Sequence, residues 1–451
     1  MPSEHAADHG SPPRRLVNVR PGEWVALGWA WLYVLAVMAA YYVIRPVRDA
    51  MGVEGGVDNL QWLFTGTLLA MIAINPAYAA LVRRWARERF ITISYVFFMV
   101  NLLLFAVAMH VASPEQLVWV GRVFFIWVSV FNLFVVSVFW ALMVDVFDTE
   151  QAKRLFGLIS AGATIGAMAG SGIASALAHS VPTTWLLLGS VVLLWLAVFC
   201  VRRLSRLAPA LRTPREVAMA QSEVNAPIGG SLMAGLAHTL RSPYLLGISL
   251  YILLYAITST FLYFQQAAIV AEHFADRAAR TAFFANVDLV VNVLTLVIQV
   301  FVTNRFLRRF GVTITIGLLP LVSVISFGVL AVVPTVTVLV AVQVIRRVGN
   351  FGFAKPTREV LFTVTSREDK YKAKPVIDTV VYRGGDQVGS WSYALLGWLG
   401  FGPVGVAIVA VPLSALWLFN ALWLGRRQAV MAREQADVAQ RTAPDPAWQR
   451  S

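Results

Sequence analysis

The sequence WVALGWAWLYVLAVMAAYYVIRPVRD, residues 24–49, begins with a long apolar run and ends with two arginines and an aspartate. A helix needs ~20 apolar residues to cross the hydrocarbon core of a bilayer, and residues 24–44 supply that length. An ionisable group at membrane depth costs at least ~2.5–3.5 kcal/mol on insertion scales, so such groups mark functional sites. Arg45, Arg48 and Asp49 are therefore predicted to contribute to a polar path through a membrane.

The composition extends this interpretation to the whole chain of 451 residues. Hydrophobic residues make up 58% of it and charged residues 14%, whereas a soluble domain carries roughly 25% charged residues. The net charge of +13 comes mostly from short basic clusters between apolar stretches, which is typical of cytoplasmic membrane loops and not of a nucleic-acid-binding surface. The single cysteine, Cys200, excludes an intrachain disulfide and a cysteine-based metal site, and no cofactor is expected.

Twelve apolar segments are long enough to be membrane helices. The predicted spans are 24–44, 60–82, 90–111, 117–140, 155–178, 184–201, 244–264, 281–303, 312–332, 336–354, 376–399 and 404–424. Basic residues concentrate in the loops on the side of the N-terminus, for example at 83–89, 202–206 and 305–309. The positive-inside rule then places both termini in the cytoplasm, with the protein in the inner membrane of a bacterium.

The twelve spans divide into two similar halves. The predicted divisions are an N-terminal tail at 1–22, a six-helix half at 23–201, a central cytoplasmic loop at 202–242, a second six-helix half at 243–424 and a C-terminal tail at 425–451. Capping-box patterns at 148–151 and 366–369 lie 218 residues apart, and the same offset aligns Gly166 with Gly384. This all-α plan of two parallel six-helix repeats resembles the major facilitator superfamily, in which solute binds between the halves near the midplane.

Three spans carry polar side chains at helical spacing, which lipid-facing surfaces do not tolerate. The stripes are Asp288, Asn292, Thr295 and Gln299; Gln343, Arg346, Arg347 and Asn350; and Asp378, Tyr382, Asp386 and Gly389. One interpretation is that internal salt bridges only fasten helices together. The other is a central cavity in which arginines bind an anion, because the guanidinium fork fits phosphate and carboxylate groups.

The second interpretation selects specific residues. The predicted anion contacts are Arg45, Arg48, Arg122, Arg346 and Arg383, and the predicted charge partners or proton-coupling carboxylates are Asp49, Asp288 and Asp386. For Arg45 and Arg48 the alternative is that they extend to lipid headgroups at a helix end. Pro46 favours the anion site, because a proline is expected to break the helix there and expose backbone groups.

Span five contains a tandem small-residue motif made of Gly162, Gly166 and Gly170. Small residues at this spacing let two helices approach closely. We expect close static packing and also a sliding contact between the two halves.

The run from Tyr41 to Asp49 resembles the end of the first helix in the bacterial and plastid ATP/ADP translocase family. The stretches 139–163 and 372–378 also resemble that family. The resemblance implies counter-exchange of nucleotides whose phosphates are held by basic residues, with Arg45 at the first basic position. The chain departs from the family at Asp386, which stands in the glycine-containing stretch where the family's exchangers have a lysine.

Secondary transport of a small anionic solute by alternating access is the predicted function, with ATP and ADP among the candidates. The alternatives are a proton-coupled permease for a non-nucleotide solute and a non-transporting membrane sensor or scaffold. No phosphate-binding loop, HExxH motif or nucleophile elbow is present in the sequence, so an enzyme is not expected. The expected partners are the solute, membrane lipid and, in the permease alternative, protons; no nucleic-acid partner is expected.

Overall fold

A computed structural model describes residues 19–84, 87–211, 239–240, 242–365 and 373–442. Most of the predicted central loop and of the predicted N-terminal tail lies outside these ranges, as do residues 443–451 of the predicted C-terminal tail and the capping box at 366–369. Two sets of six helices account for nearly all of the described chain. The first set is α1 (Trp24–Glu54), α2 (Leu60–Arg84), α3 (Arg87–Val111), α4 (Pro114–Val146), α5 (Thr149–Leu177) and α6 (Thr183–Leu211).

The second set contains several helices that change geometry along their length. It consists of α7 (Pro243–His273), α8 (Arg277–Ile298, with a π turn at Gln299–Thr303), α9 (Asn304–Val332), α10 (Val336–Gly349, a π turn at Asn350–Ala354, then Lys355–Leu361), α11 (a π turn at Ile377–Val381, then Tyr382–Trp398) and α12 (Pro403–Thr442). The range of α9 contains a kink at Gly311, whose φ of 73° and ψ of 177° are not helical. Ten segments of the described chain are long and apolar enough to span a membrane, and one of these contains both α8 and α9. The prediction of an all-α bundle of twelve helices is confirmed.

Helix α1 corrects one detail of the sequence interpretation. Pro46 lies inside a continuous helix that extends to Glu54, so the helix does not break there and the predicted span ends ten residues too early. Proline is tolerated in membrane helices because neighbouring helices, side chains and local changes of helix geometry satisfy the backbone groups that it frees. Arg45, Arg48 and Asp49 therefore lie within α1, where their side chains face protein, and not at its end.

The glycines of α5 pack against α1 within the first half. A Cβ at Gly166 would meet the backbone of Leu35, and one at Gly170 would meet the backbone of Ala39. This is the close packing that the small-residue motif predicts. Gly162, Gly166 and Gly170 face α1 of their own half, whereas Ser175 of the same helix contacts Asn286 of α8 in the other half. The expected sliding contact between the halves stays a prediction.

The second half repeats this contact. Gly385 and Gly389 of α11 face the backbone of Leu253 and Ile257 of α7. Gly166 therefore corresponds to Gly385, one position away from the alignment expected from the sequence. Each half is held together internally by a close pair formed by its first and fifth helices.

The start of α5 is fixed by polar contacts to its neighbours. Asp148 caps the helix by accepting a hydrogen bond from the Gln151 backbone N–H, so the predicted capping box is confirmed. Arg154, one turn later, donates two hydrogen bonds of 2.7 and 3.0 Å to Glu23 just before α1. These hydrogen bonds from Arg154 lower the pKa of the Glu23 carboxyl. The ion pair therefore still contributes to stability as the pH falls through the usual carboxyl range, and is lost only at the lowered pKa.

The two halves are joined on the side where α1 ends, which we call the far side. An apolar cluster there combines residues of both halves, including Ala50 and Phe125 of the first half and Ala267 of the second. Beside it, Glu54 accepts two hydrogen bonds of 2.7 Å from Arg277. Further polar links across the halves among the described residues include Thr65–Gln387 at 3.0 Å, Trp391–Thr65 at 3.1 Å and Ser175–Asn286 at 2.6 Å. The structure is therefore closed on the far side.

The Gly170→Ala substitution should destabilise the protein, because the new methyl group would meet the Ala39 carbonyl oxygen and lie 2.9 Å from the Cβ atom of Tyr42. Overpacking of this kind typically costs ~1–3 kcal/mol. The measurement is the apparent melting temperature of purified protein in detergent. Gly172→Ala is the matched control, since nothing lies within 4 Å of a Cβ at that position. Equal melting temperatures for the two variants would contradict the assigned α1–α5 contact.

The Glu54→Gln substitution should loosen the far side, because it removes the ion pair with Arg277. A cysteine placed at Ala267, which is 2% exposed within the shared apolar cluster, reports this opening by its rate of reaction with a soluble maleimide. The rate should rise by up to about fivefold, since a partly exposed ion pair contributes ~0.2–1 kcal/mol.

The background of this labelling experiment is low because Cys200 is buried. Glu54→Asp, which retains the charge, is the control variant. An unchanged labelling rate in Glu54→Gln would show that the ion pair does not hold the halves together.

Candidate functional site

A cavity of about 440 Å³ lies between the two halves. Helices α1, α2 and α4 line it from the first half, and α7, α10 and α11 line it from the second. Its charged lining consists of Arg45, Arg48, Arg346, Arg347, Arg383 and Asp386. A pocket of this volume falls within the usual size range for small-molecule sites.

Aromatic rings form much of the remaining wall. They are Tyr41, Tyr42, Phe64, Tyr255, Tyr263, Phe351 and Tyr382. Two of the guanidiniums lie over neighbouring rings, Arg45 at 5.5 Å from the centroid of Tyr42 and Arg383 at 5.8 Å from that of Tyr382. Such rings offer faces on which a planar group of a solute can stack, and phenol hydroxyls that can hydrogen-bond.

Asp288 of α8 holds two of the guanidiniums. Arg45 donates to both carboxylate oxygens at 2.9 Å, and Arg347 lies 2.7 Å from Oδ1. The Asp288 side chain is only 3% exposed and lies behind the cavity wall. Because Arg45 belongs to the first half and Asp288 to the second, this contact joins the two halves at the level of the cavity.

Arg48 has its own carboxylate. Its guanidinium lies 3.0 Å from Asp49 and 4.2 Å from the ring centroid of Phe125. Tyr263 of the second half donates a hydrogen bond of 3.0 Å to the same carboxylate. Asp49 is therefore shared between a cation of its own helix and a hydroxyl of the opposite half.

Arg383 and Asp386 form a pair on one face of α11. The distance between Arg383 Nη1 and Asp386 Oδ2 is 3.2 Å, and Asp386 is buried while Arg383 is half-exposed to the cavity. Both residues also line a small polar recess of about 60 Å³ that extends from the cavity toward α2 and α4. The pair is a cation and a titratable carboxylate in direct contact at the wall.

Arg346 differs from the other four arginines because its partners are neutral. It donates to the hydroxyl of Ser323 at 2.8 Å, and to the carbonyl and hydroxyl oxygens of Thr258 at 3.1 and 2.8 Å. The residue is 3% exposed, and its guanidinium lies 5.2 Å from the ring centroid of Phe327. Among the residues that the structure describes, no carboxylate lies within salt-bridge distance of Arg346.

The structure brings most of the predicted residues together. Arg45, Arg48, Arg346, Arg383 and Asp386 line one cavity, and Asp49 and Asp288 pair with its arginines. The side chains of Arg45 and Arg48 are 21% and 14% exposed and are engaged inside the bundle, which leaves no role for them at lipid headgroups.

Arg122 lies apart from this group. It donates a hydrogen bond of 3.2 Å to the carbonyl of Gly55 at the far end of α1 and lies 4.5 Å from the ring centroid of Trp119. It is not one of the cavity-lining residues. In this arrangement it binds the carboxyl end of α1, and its predicted contact with an anion stays a prediction.

Arg347 and the tyrosines were not selected from the sequence as site residues. Tyr255, Ser259 and Tyr263 follow one another at intervals of four along α7, which puts them on one helical face. Tyr41 and Arg45 are related in the same way on α1. This spacing was available in the sequence, but tyrosine is also common in buried helix contacts, so the pattern alone does not select a binding surface.

The arrangement suits the binding of an anion with an aromatic or otherwise flat portion. Guanidiniums from both halves converge on one space, and aromatic faces surround them. Within the described part of the chain, no group of three or more histidine, cysteine, aspartate or glutamate side chains can hold a metal ion.

Comparison with known proteins agrees with this architecture. The family profile described as Major Facilitator Superfamily matches residues 29–371. The ADP,ATP carrier protein 1 of Chlamydia pneumoniae is 22% identical over 455 residues, covering 92% of this chain and 80% of the relative. The ADP,ATP carrier protein 2 of the same organism is 21% identical, covering 88% of this chain and 87% of the relative.

Solved structures show the same fold at low sequence identity. A bacterial homologue of the iron transporter ferroportin, in an inward-facing state, has a TM-score of 0.61 and 12% identity and covers 87% of this chain and 98% of its own. The nucleoside transporter NupG has a TM-score of 0.53 and 14% identity and covers 90% of this chain and 98% of its own. The profile match, the twelve helices and the cavity between two six-helix halves agree: this chain belongs to the major facilitator superfamily of membrane transporters.

Proposed function

We propose that this protein is a secondary transporter that carries an organic anion of the nucleotide class across the bacterial inner membrane. The solute binds in the central cavity, and the two halves rock about it so that the cavity opens to one side at a time. The far side then corresponds to the outside of the cell, and both termini lie in the cytoplasm.

The observation that carries the proposal is the buried guanidinium of Arg346. A buried charge without an opposite charge is costly, and proteins normally pair or neutralise such groups. Here the guanidinium is held by neutral oxygens of Ser323 and Thr258 while it lines an open cavity. An anionic solute supplies the missing opposite charge, so the site is built for an occupant that the protein itself does not contain.

The nucleotide class is supported by the aromatic wall and by the relatives. A nucleobase has a flat face that stacks on tyrosine or phenylalanine, and base–aromatic stacking contributes ~1–3 kcal/mol per base. The cavity offers seven aromatic rings beside five guanidiniums. The similarity to proteins named ADP,ATP carriers favours the same class of solute.

Alternating access is supported by where the halves touch. The described polar links Glu54–Arg277, Thr65–Gln387 and Ser175–Asn286 lie between the cavity and the far side. These contacts are individually weak polar links, which can separate when the halves rock. The contacts inside each half are close glycine-mediated helix pairs, so each half moves as a body.

A second candidate is proton-coupled transport of a non-nucleotide anion. Asp386 favours it, because a buried titratable carboxylate in contact with Arg383 at the cavity wall is the kind of group that can exchange a proton for a solute charge. In this alternative, an imposed pH gradient drives uptake and Asp386→Asn abolishes that drive. In nucleotide exchange, uptake depends instead on nucleotide inside the vesicle.

The test is uptake of labelled AMP, ADP and ATP into proteoliposomes that contain purified protein and are either preloaded with unlabelled nucleotide or empty. We expect uptake into loaded vesicles. Arg346→Gln should weaken it by roughly tenfold or more, since a hydrogen bond to a charged group contributes ~1.5–3 kcal/mol. Arg346→Lys keeps the positive charge but not the forked geometry of the guanidinium, so its uptake should lie between those of the wild type and Arg346→Gln.

The matched control is Arg203→Gln, which removes an exposed guanidinium near the C-terminal end of α6, on the side of the membrane opposite the far side. Size-exclusion profiles verify that each variant is folded. Uptake that is equal in Arg346→Gln and wild type would contradict the assignment of the cavity. Absence of nucleotide uptake, together with uptake of another anion driven by a pH gradient, would favour the second candidate.

A further inference from the structure

We infer that Asp288 sets the charge of the transported solute, and that the solute presents two negative charges to the cavity. The inference rests on the proposed function, because it assumes that an anion occupies this cavity. It concerns a residue that lies behind the wall and does not touch the solute. Asp288 is therefore a positioning and charge-setting residue.

The first step is that Asp288 neutralises only one of its two partners. Its carboxylate accepts hydrogen bonds from Arg45 and lies within salt-bridge distance of Arg347. The described residues provide no second carboxylate for these two guanidiniums. Together the three groups carry one net positive charge, which faces the cavity through Arg45 and Arg347.

The second step is that two other arginines are balanced. Arg48 is paired with Asp49, and Arg383 is paired with Asp386. Each pair is close to neutral as seen from the cavity. Neither pair therefore needs a charge from the solute to balance it when the cavity closes and water is excluded.

The third step is the remaining cation, Arg346. Its hydrogen-bond partners Ser323 and Thr258 are neutral. It therefore contributes a full positive charge. The five guanidiniums and three carboxylates of this cluster leave two net positive charges, one at Arg346 and one shared by Arg45 and Arg347.

The alternating-access cycle makes this charge decisive. In any intermediate in which the cavity is closed to both sides, water is excluded and an unbalanced charge becomes costly. A solute with two negative charges balances the two net positive charges of the cluster. An empty cavity or a solute of another charge leaves a net charge in the closed cavity. The closed state is then favoured only around a dianion, such as a nucleoside monophosphate. A protein with an empty cavity therefore does not switch from facing one side of the membrane to facing the other.

The experiment measures how the preference for solute charge depends on Asp288. One series of probes is adenosine, AMP, ADP and ATP, and a second is acetate, succinate and citrate; in each series the negative charge increases along the series. Equilibrium dissociation constants are measured on purified, full-length protein. The readouts are the ratio of the AMP and ADP dissociation constants and the ratio of the succinate and citrate dissociation constants. Because the same two probes are compared in every variant, effects of probe size and shape cancel when the ratios are compared between variants.

Asp288→Asn adds one positive charge to the cluster and should shift both ratios about tenfold toward the more charged probe. Arg346→Gln removes one and should shift the ratios in the opposite direction. The double variant should restore the wild-type ratios, and Asp288→Glu should retain them. If Asp288→Asn does not fold, Arg347→Gln replaces it: Asp288 then pairs with Arg45 alone, the cluster loses one net positive charge, and the ratios should shift toward the less charged probe. Ratios that stay the same in Arg347→Gln and in Arg203→Gln would overturn the inference.

The outcomes separate this inference from the proposed function. Shifted ratios in both series support both. Shifted ratios with the carboxylates, without nucleotide binding, support the inference and overturn the nucleotide class. Nucleotide binding with ratios that are the same in all variants overturns the inference and leaves the proposed function intact. Absence of binding in both series overturns both.

Discussion

The carboxylate of Asp288 is the group on which the arrangement of the cavity depends. It lies in an apolar bundle and holds Arg45 from one half and Arg347 from the other. Guanidiniums remain charged in proteins, so α1 and α10 can bring two of them together only if a carboxylate lies between them. Without this contact, Arg45 and Arg347 would repel each other in a medium of low dielectric constant.

The contacts around this group divide the protein into rigid and separable parts. Within the halves, glycines of α5 and α11 let the helices touch backbone to backbone at Leu35 and Leu253. Between the halves, the contacts are ion pairs, amides and hydroxyls together with one apolar cluster on the far side. Motion about the cavity therefore requires separation of polar contacts that water can replace and of the apolar cluster on the far side, while the packing inside each half is retained.

Much of the fold follows from the sequence, because the bilayer constrains it strongly. The twelve helices and the two-half plan are confirmed, since helix length and hydrophobicity leave few alternatives. The end of α1 was misjudged at Pro46, because local propensity disfavours proline inside a helix while packing by neighbouring helices outweighs it. The glycines of α5 were recognised as a packing surface, but their partner was not, because the spacing of small residues does not identify the opposing helix.

The candidate site was only partly accessible from the sequence. Charges inside apolar spans pointed to Arg45, Arg48, Arg346 and Arg383, because lipid excludes such groups. Arg122 satisfied the same criterion but binds the end of α1. Which charges pair with which depends on helix rotation and on the contact between halves, and the sequence carries no direct signal for either.

The most direct test of the central claim is a structure of the protein determined with bound AMP at saturating concentration. The account predicts density for the nucleotide between the two halves, with its phosphate within hydrogen-bond distance of Arg346 and its base against the tyrosines of the cavity wall. A nucleotide bound elsewhere on the protein, or a cavity without nucleotide at saturation, would contradict it.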